Sequence, residues 1–383
     1  MENNVLIITC NKYPNGNAGA VRQHVFAKAF IDLGYSITLI GMGESTNFQY
    51  KEYDGVRYIS LRDGRPGVFR KINNRLLYKN RLKKVMKDLK PQAVLVVDLP
   101  LNAVSYVRKY SQKNGIRLIH DSVEWYSKEE FKLGWLDMSY IHKDLLNRFW
   151  ISKYFRVAAI SEYLNKYFLS KGNKSCRIPF VLDVKNIEFE KKITDDKIVI
   201  VYAGTIGKKD YFDAVIRALN EIDKQSRGKI ELRIIGCDTD GFVKSTGIAR
   251  NEVLKLGGVI KFLGRVPREK VIENLKEADF TILIRPENLR YAEAGFPTKV
   301  TESMSYGTPV IANITSDLGE YLSDNYNAVV VGGNSAEDVR EALCRVLKMD
   351  KEQILTMCKN ARYTAENELD YRKFSDDLKE LLQ

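Results

Sequence analysis

In the segment AGFPTKVTESMSYGTPVIAN, residues 294–313, a proline, a lysine and a glutamate are spaced as an anion site requires. Pro297 suits the first position of a helix, because an N–H there would have no intrahelical partner in any case. The backbone N–H groups of Thr298 and Lys299 then face outward. Together with the lysine side chain and the positive end of the helix dipole, they form a seat for a diphosphate. Glu302 falls one turn after Thr298 on the same face, where its carboxylate could accept from two ribose hydroxyls. The plainer alternative is a capped surface helix with Glu302 merely solvated. Tyr306-Gly307-Thr308-Pro309 ends the helix on a glycine and opens the next strand.

Three further loops carry polar groups after apolar runs. Gly204 and Thr205 turn the chain after Ala203, and Lys208 and Lys209 precede an amphipathic stretch at 211–219. Cations at that place would neutralise a departing diphosphate; two solvated lysines are the competing reading. The loop at 15–20 contains Gly16 and Gly19, where backbone N–H groups could approach a phosphate or a sugar. It is neither the dinucleotide fingerprint nor a P-loop, because no Gly-Lys-Ser/Thr follows. His120, Asp121 and Glu124 follow an apolar run and could orient or deprotonate an acceptor hydroxyl. Packing at a strand end would explain His120 equally well, and a helix-start acid Glu124. Asp238-Thr239-Asp240 has a metal-chelating pattern but reads as an ordinary loop.

Every one of these groups follows a short buried strand. Apolar runs at 5–9, 36–40, 93–97, 117–120 and 157–160 alternate with helical patterns, as in a parallel sheet covered on both faces. The same grammar restarts at 197–203 and continues at 231–236, 260–263, 280–284, 309–312 and 328–331. In such sheets ligands bind beyond the carboxyl ends of the strands. The fold class expected is α/β, as two doubly wound domains facing a cleft. The expected domains span 1–183 and 197–369, joined by a polar linker at 184–196.

With 383 residues, 44% hydrophobic and 29% charged, the chain is long enough for two cores. Its five cysteines and three histidines lack metal-ligand or disulfide-framework spacing. No apolar run has the length of a membrane span, and the start lacks the character of a signal peptide, so a cytoplasmic protein is expected. The net charge of +12 points to an anionic partner. Between Arg62 and Lys90 stand 11 basic residues against two acids. Apolar residues recur at helical spacing across 68–90, so this helix could lie on an anionic membrane surface, at roughly 1 kcal/mol per basic residue. A solvated face is the plain alternative. A nucleic-acid-binding protein would interleave the charge with exposed aromatics over one face, and no nucleic acid is expected.

The segment 294–313 resembles the C-terminal signature of retaining glycosyltransferases of family 4, the group 1 transferases, whose fold is GT-B. The likeness covers nearly the whole chain, most tightly its second half, and the Gly295-Phe296-Pro297-Thr298-Lys299 loop is similar to members that build bacterial surface polysaccharides, capsule or O-antigen. The resemblance implies that Glu302 holds the nucleotide ribose, as the second acid of an E-x7-E motif. The first acid should stand at Ala294, and the nearest one is Glu293. It further implies a phosphate-binding lysine at Lys209, with Gly204, Thr205 and Lys208 in the same loop. The family's preceding arginine is absent, Thr205 standing near its place, and Arg285 is expected to compensate. Gly19 is placed at the donor phosphates or the acceptor. A C-terminal helix, 370–383, is expected to pack back on the first domain. The implied activity is transfer of a sugar from a UDP- or GDP-sugar to a glycan or lipid-linked acceptor, retaining, with no cofactor or metal required. A sugar-nucleotide epimerase on the same scaffold is the nearest enzymatic alternative.

Overall fold

The computed structural model describes residues 3–62, 70–191, 197–207 and 209–383, the side chains of 70–77 excepted. The chain divides into two compact units, Met1–Leu182 with Tyr371–Gln383, and Asp183–Asp370.

In the first unit the strands are β1 (Asn4–Thr9), β2 (Ser36–Gly41), β3 (Lys51–Tyr53), β4 (Val56–Ser60), β5 (Ala93–Val97), β6 (Arg117–Ser122), β7 (Phe155–Ala159) and β8 (Ser175–Arg177). Their order is β3-β4-β2-β1-β5-β6-β7-β8, parallel except for the β3–β4 pair. Parallel strands need helical crossovers that cover both faces, which is why β1 and β5 read as continuous apolar runs and are buried along their length. The crossovers include α1 (Ala18–Asp32), α2 (Arg70–Leu89), α3 (Leu101–Asn114), α4 (Met138–Leu145) and α5 (Glu162–Ser170). The β3–β4 hairpin turns on Asp54-Gly55, both at positive φ, 46° and 74°. This is the turn chemistry that matches the twist of paired strands.

The second unit holds β9 (Ile198–Ala203), β10 (Ile230–Ile235), β11 (Ile260–Gly264), β12 (Phe280–Leu283), β13 (Val310–Asn313) and β14 (Ala328–Val331). Their order is β11-β10-β9-β12-β13-β14, parallel throughout. Helix α6 (Phe212–Glu221) and the helix Ala336–Val346 bury apolar faces against one side of this sheet. Both units are therefore doubly wound, and each sheet has one place where successive crossovers run in opposite directions: between β1 and β5, and between β9 and β12.

The last 13 residues, 371–383, belong to the first unit. The Tyr371 N–H donates to the Leu182 carbonyl at 3.0 Å, and its hydroxyl to Asp32 Oδ2 at 2.6 Å. The Arg117 and Arg156 guanidinium groups hydrogen-bond the carbonyls of Leu382 and Glu380.

Over 184–191 the stretch expected as a polar linker packs within the second unit. Arg362 donates to the carbonyls of Val184 and Ile187 at 2.9 and 2.8 Å. Phe189 lies against Gly307, where a Cβ would approach the ring to 2.1 Å. Lys191 Nζ donates to Thr308 Oγ1 at 2.7 Å. Residues 192–196, and residues 63–69 before α2, lie outside those described. Among the described residues no helix is long and apolar enough to cross a membrane.

Candidate active site

The crevice at the carboxyl ends of β9 and β12 is built around two glycines. Gly204 follows β9 with φ 155°, and a Cβ there would come within 2.5 Å of Lys299 Cε. Gly236 follows β10 with φ 127°, and its Cβ would meet the Gly204 carbonyl at 2.1 Å. Only residues without side chains let these strand ends pass so closely and leave room for Lys299.

Lys299 enters from the first turn of the helix Thr298–Ser305. Its Nζ donates to Asp210 Oδ2 at 2.8 Å and to the Tyr202 hydroxyl at 2.9 Å. The Tyr202 hydroxyl donates in turn to Asp210. Arg285, just beyond β12, brings Nε to 3.4 Å from Asp210 Oδ1. Asp210 is only 7% exposed. Burial pushes its carboxyl up, but the Lys299 and Arg285 cations outweigh that and hold it below the usual carboxylate value. Asp210 is thus an internal counter-ion for two cations at a strand end. Asn313, ending β13, fixes the Arg285 backbone from both sides: its Oδ1 accepts the Arg285 N–H at 2.8 Å and its Nδ2 donates to the Arg285 carbonyl at 2.9 Å.

The helix Thr298–Ser305 is anchored by hydroxyls. Ser303 Oγ donates to the Thr308 carbonyl and meets Thr281 Oγ1, both at 2.7 Å, while Val300 and Met304 are fully buried. Pro297 stands one position earlier than the sequence suggests, at the N-cap with φ −74° and ψ 102°. The extended ψ is the price of the bend out of Phe296, and Thr298 becomes the first helical residue. One turn on, Glu302 Oε1 pairs with Arg268 Nη2 at 2.7 Å. Thr205 is exposed, and its carbonyl lies 3.3 Å from the Tyr202 hydroxyl. Lys209 is half-buried with Nζ 5.5 Å from the centre of the Tyr291 ring. Lys208 lies outside the described residues. Ala294 is fully buried and Glu293 half-buried on the helix Arg290–Ala294. The position of the first acid in the resembled motif is therefore an apolar packing position.

Sequence reasoning missed Asp210, Tyr202, Asn313 and Arg268. An acid after two lysines reads as solvated, and only the fold brings Lys299, 89 positions away, onto it. Among the described residues Asp238 and Asp240 belong to no cluster that could hold a metal ion. Asp238 caps the helix Thr239–Thr246 by accepting the Gly241 N–H at 2.7 Å, and Asp240 pairs with Arg250.

The first unit's crevice differs from what its sequence suggests. Asp121 is fully buried and takes Arg22 Nε at 3.0 and 3.1 Å and Nη2 at 2.9 Å. Arg22 also donates to the carbonyls of Ile178 and Pro179, so the pair joins α1, β6 and the chain after β8. His120 is 1% exposed and edge-on to Phe168. Burial and the Lys143 cation push its pKa down to about 3. His120 is thus enclosed and neutral, and Asp121 is paired with Arg22. Glu124 remains, half-buried and hydrogen-bonded by the Tyr126 hydroxyl. Gly19 lies in the first turn of α1, and a Cβ there would come 2.7 Å from Asn11 Nδ2. The first unit also holds a mostly apolar groove of about 1090 Å³, whose lining includes the Asp98–Lys143 pair, His142 and Lys12.

Residues 183–367 match the family model of the glycosyl transferases group 1. This stretch, nearly the whole of the second unit, is similar to that family. An uncharacterized glycosyltransferase of Methanocaldococcus jannaschii is 24% identical over 249 residues, covering 63% of this chain and 60% of the relative. The chain therefore spans less than two thirds of that curated relative's length. Among solved structures, sucrose-phosphate synthase of Thermosynechococcus elongatus is similar with a TM-score of 0.76 at 14% identity, over 99% of this chain and 98% of the other. HepE of Anabaena, solved with UDP-glucose, has a TM-score of 0.68 at 15% identity over 99% of each chain. Both units thus share the GT-B fold of these structures, and the Asp210 crevice lies inside the matched stretch.

Proposed function

We propose that the protein transfers a hexose-type sugar from a UDP- or GDP-sugar to a glycan or lipid-linked saccharide, with retention at the anomeric carbon. The observation that carries this reading is the convergence of Lys299, Arg285 and the start of the helix Thr298–Ser305 at the β9–β12 switch point, with Glu302 one turn further on. In this reading Glu302 exchanges Arg268 for the two ribose hydroxyls. The Thr298 and Lys299 amides, Lys209 and Arg285 receive the diphosphate, and Gly204 and Thr205 leave it room. As the bond from the anomeric carbon to the diphosphate oxygen breaks, the leaving oxygen keeps the electron pair and these cations take up its charge. Fixed side-chain cations supply that stabilisation without a metal ion. The complex of the similar HepE with UDP-glucose supports a nucleotide-sugar donor.

The acceptor side is assigned to the first unit, where Glu124, with His120 and Asp121 beside it on the chain, is the candidate for orienting a hydroxyl. Peripheral contact with an anionic membrane is assigned to α2, whose exposed Lys84 and Lys87 continue the basic stretch. A thermal-shift panel of UDP-, GDP- and dTDP-sugars tests the donor reading, since a ligand at 100 times its Kd stabilises by about 2.7 kcal/mol. The shift should appear for one base and vanish in Glu302→Ala. No shift with any of the three would overturn the reading.

A further inference from the structure

The turn after β6 exposes an unusual amount of apolar surface. Leu133 is 65%, Trp135 68%, Leu136 58% and Met138 71% exposed, four large side chains within six residues. They are held out by structure rather than by a loose loop. Gly134 adopts φ 54°, its N–H donates to Phe131 at 3.1 Å, and the Leu136 N–H donates to Leu133 at 3.0 Å. Asp137 then caps α4 by accepting the Ser139 N–H at 2.8 Å. The chain's other tryptophans are used internally: Trp125 Nε1 donates to Asp144 and Trp150 Nε1 to Ser105, each at 3.0 Å.

Two observations say what this tip meets. Met138 also lines the groove, as do Met42, Leu101, Ile141 and Leu145, so the tip and the groove share a residue. The tip is also small. Four side chains present a few hundred Å² at most, well short of the roughly 800 Å² per partner of a stable protein interface. Tryptophan with leucine and methionine on a rigid turn, next to exposed Lys128 and Lys132, suits the boundary between headgroups and acyl chains.

We infer that Leu133, Trp135, Leu136 and Met138 form a tip that inserts into a bilayer interface, setting the groove mouth at the membrane to take an amphiphilic acceptor. The acceptor's part in this rests on the sugar-transfer reading; insertion stands without it and is separate from the electrostatic contact assigned to α2.

The test is flotation of the full chain with vesicles of 3:1 phosphatidylcholine and phosphatidylglycerol at low and high salt. An inserted tip gives binding that survives high salt, whereas a purely ionic contact is screened. Leu133→Ser/Trp135→Ser/Leu136→Ser should lower the salt-resistant bound fraction at least tenfold without shifting the melting temperature. Should that variant fail to fold, Trp135→Phe in vesicles of brominated lipid decides: most of the tryptophan quenching should disappear. Absent binding, binding lost entirely in salt, or quenching unchanged by Trp135→Phe would each overturn the inference. So would light scattering showing a dimer that the triple substitution dissociates. Nucleotide thermal shifts on the same samples separate failure of insertion from failure of the donor reading.

Discussion

The two sheets reverse their winding in the same way, yet the crevices at the two switch points are used differently. In the first unit the charges pair off internally: Arg22 and Asp121 are both fully buried, and Lys143 is paired with Asp98. Beyond β9 and β12, Asp210 is buried, but its two cations keep part of their surface, 25% for Lys299 and 14% for Arg285. The first arrangement locks three segments together; the second holds cations ready for an anion from outside. Equal topology thus supplies a place for a ligand without dictating its chemistry, and the difference lies in which partner of each ion pair is left uncovered.

The sharpest way to break this contrast is Arg22→Ala. It strands a buried carboxylate and should destabilise the protein by about 3–5 kcal/mol in denaturant titrations. An unchanged midpoint would mean that the first crevice is not a structural lock. In the second crevice the effect should fall on affinity. Glu302→Ala should weaken nucleotide binding 10- to 100-fold by calorimetry, about 1.4–2.7 kcal/mol. Its pairing with the half-exposed Arg268 adds under about 1 kcal/mol to the fold, so the unliganded melt should barely move. Arg285→Ala should weaken UDP several-fold while leaving uridine, which lacks the phosphates, unaffected; an equal loss for both would place Arg285 elsewhere in the site.

A smaller effect concerns a buried acid outside both crevices. Asp279 Oδ2 accepts the Val199 N–H at 2.7 Å, and burial pushes its pKa up to about 6. A carboxyl raised above its unfolded value near 3.8 stabilises the fold fully below that value. The contribution is lost as pH climbs through about 6. Asp279→Asn keeps the acceptor oxygen and avoids the buried charge. It should raise stability at pH 7–8 by about 1–2 kcal/mol, with the gain gone near pH 4, as measured by melts across that range.

Much of this frame was legible from residue patterns. The apolar runs at 5–9, 93–97 and 280–284 coincide with β1, β5 and β12 to within a residue, because fully buried parallel strands need continuous apolar sequence. The β3–β4 hairpin was not found: β3 is exposed and polar, although Asp54-Gly55 carried the turn signal. Helix Thr298–Ser305 and its glutamate were legible from local spacing. The direction of His120 and Asp121 was not, since neighbours on a strand point to opposite faces and both faces of β6 are covered. The Asp210 network was equally hidden, because its members come from the segments after β9 and after β12, which only the assembled sheet brings together.

The return of residues 371–383 to the first unit has a consequence for synthesis. The second unit, 183–370, is an insertion in the first, and the Tyr371–Asp32 bond closes over 339 positions. On the ribosome the whole inserted unit emerges before the segment that seals α1. The first unit must wait, incomplete, while its neighbour folds, and a nascent chain stalled near residue 370 would expose the surface that the final helix covers.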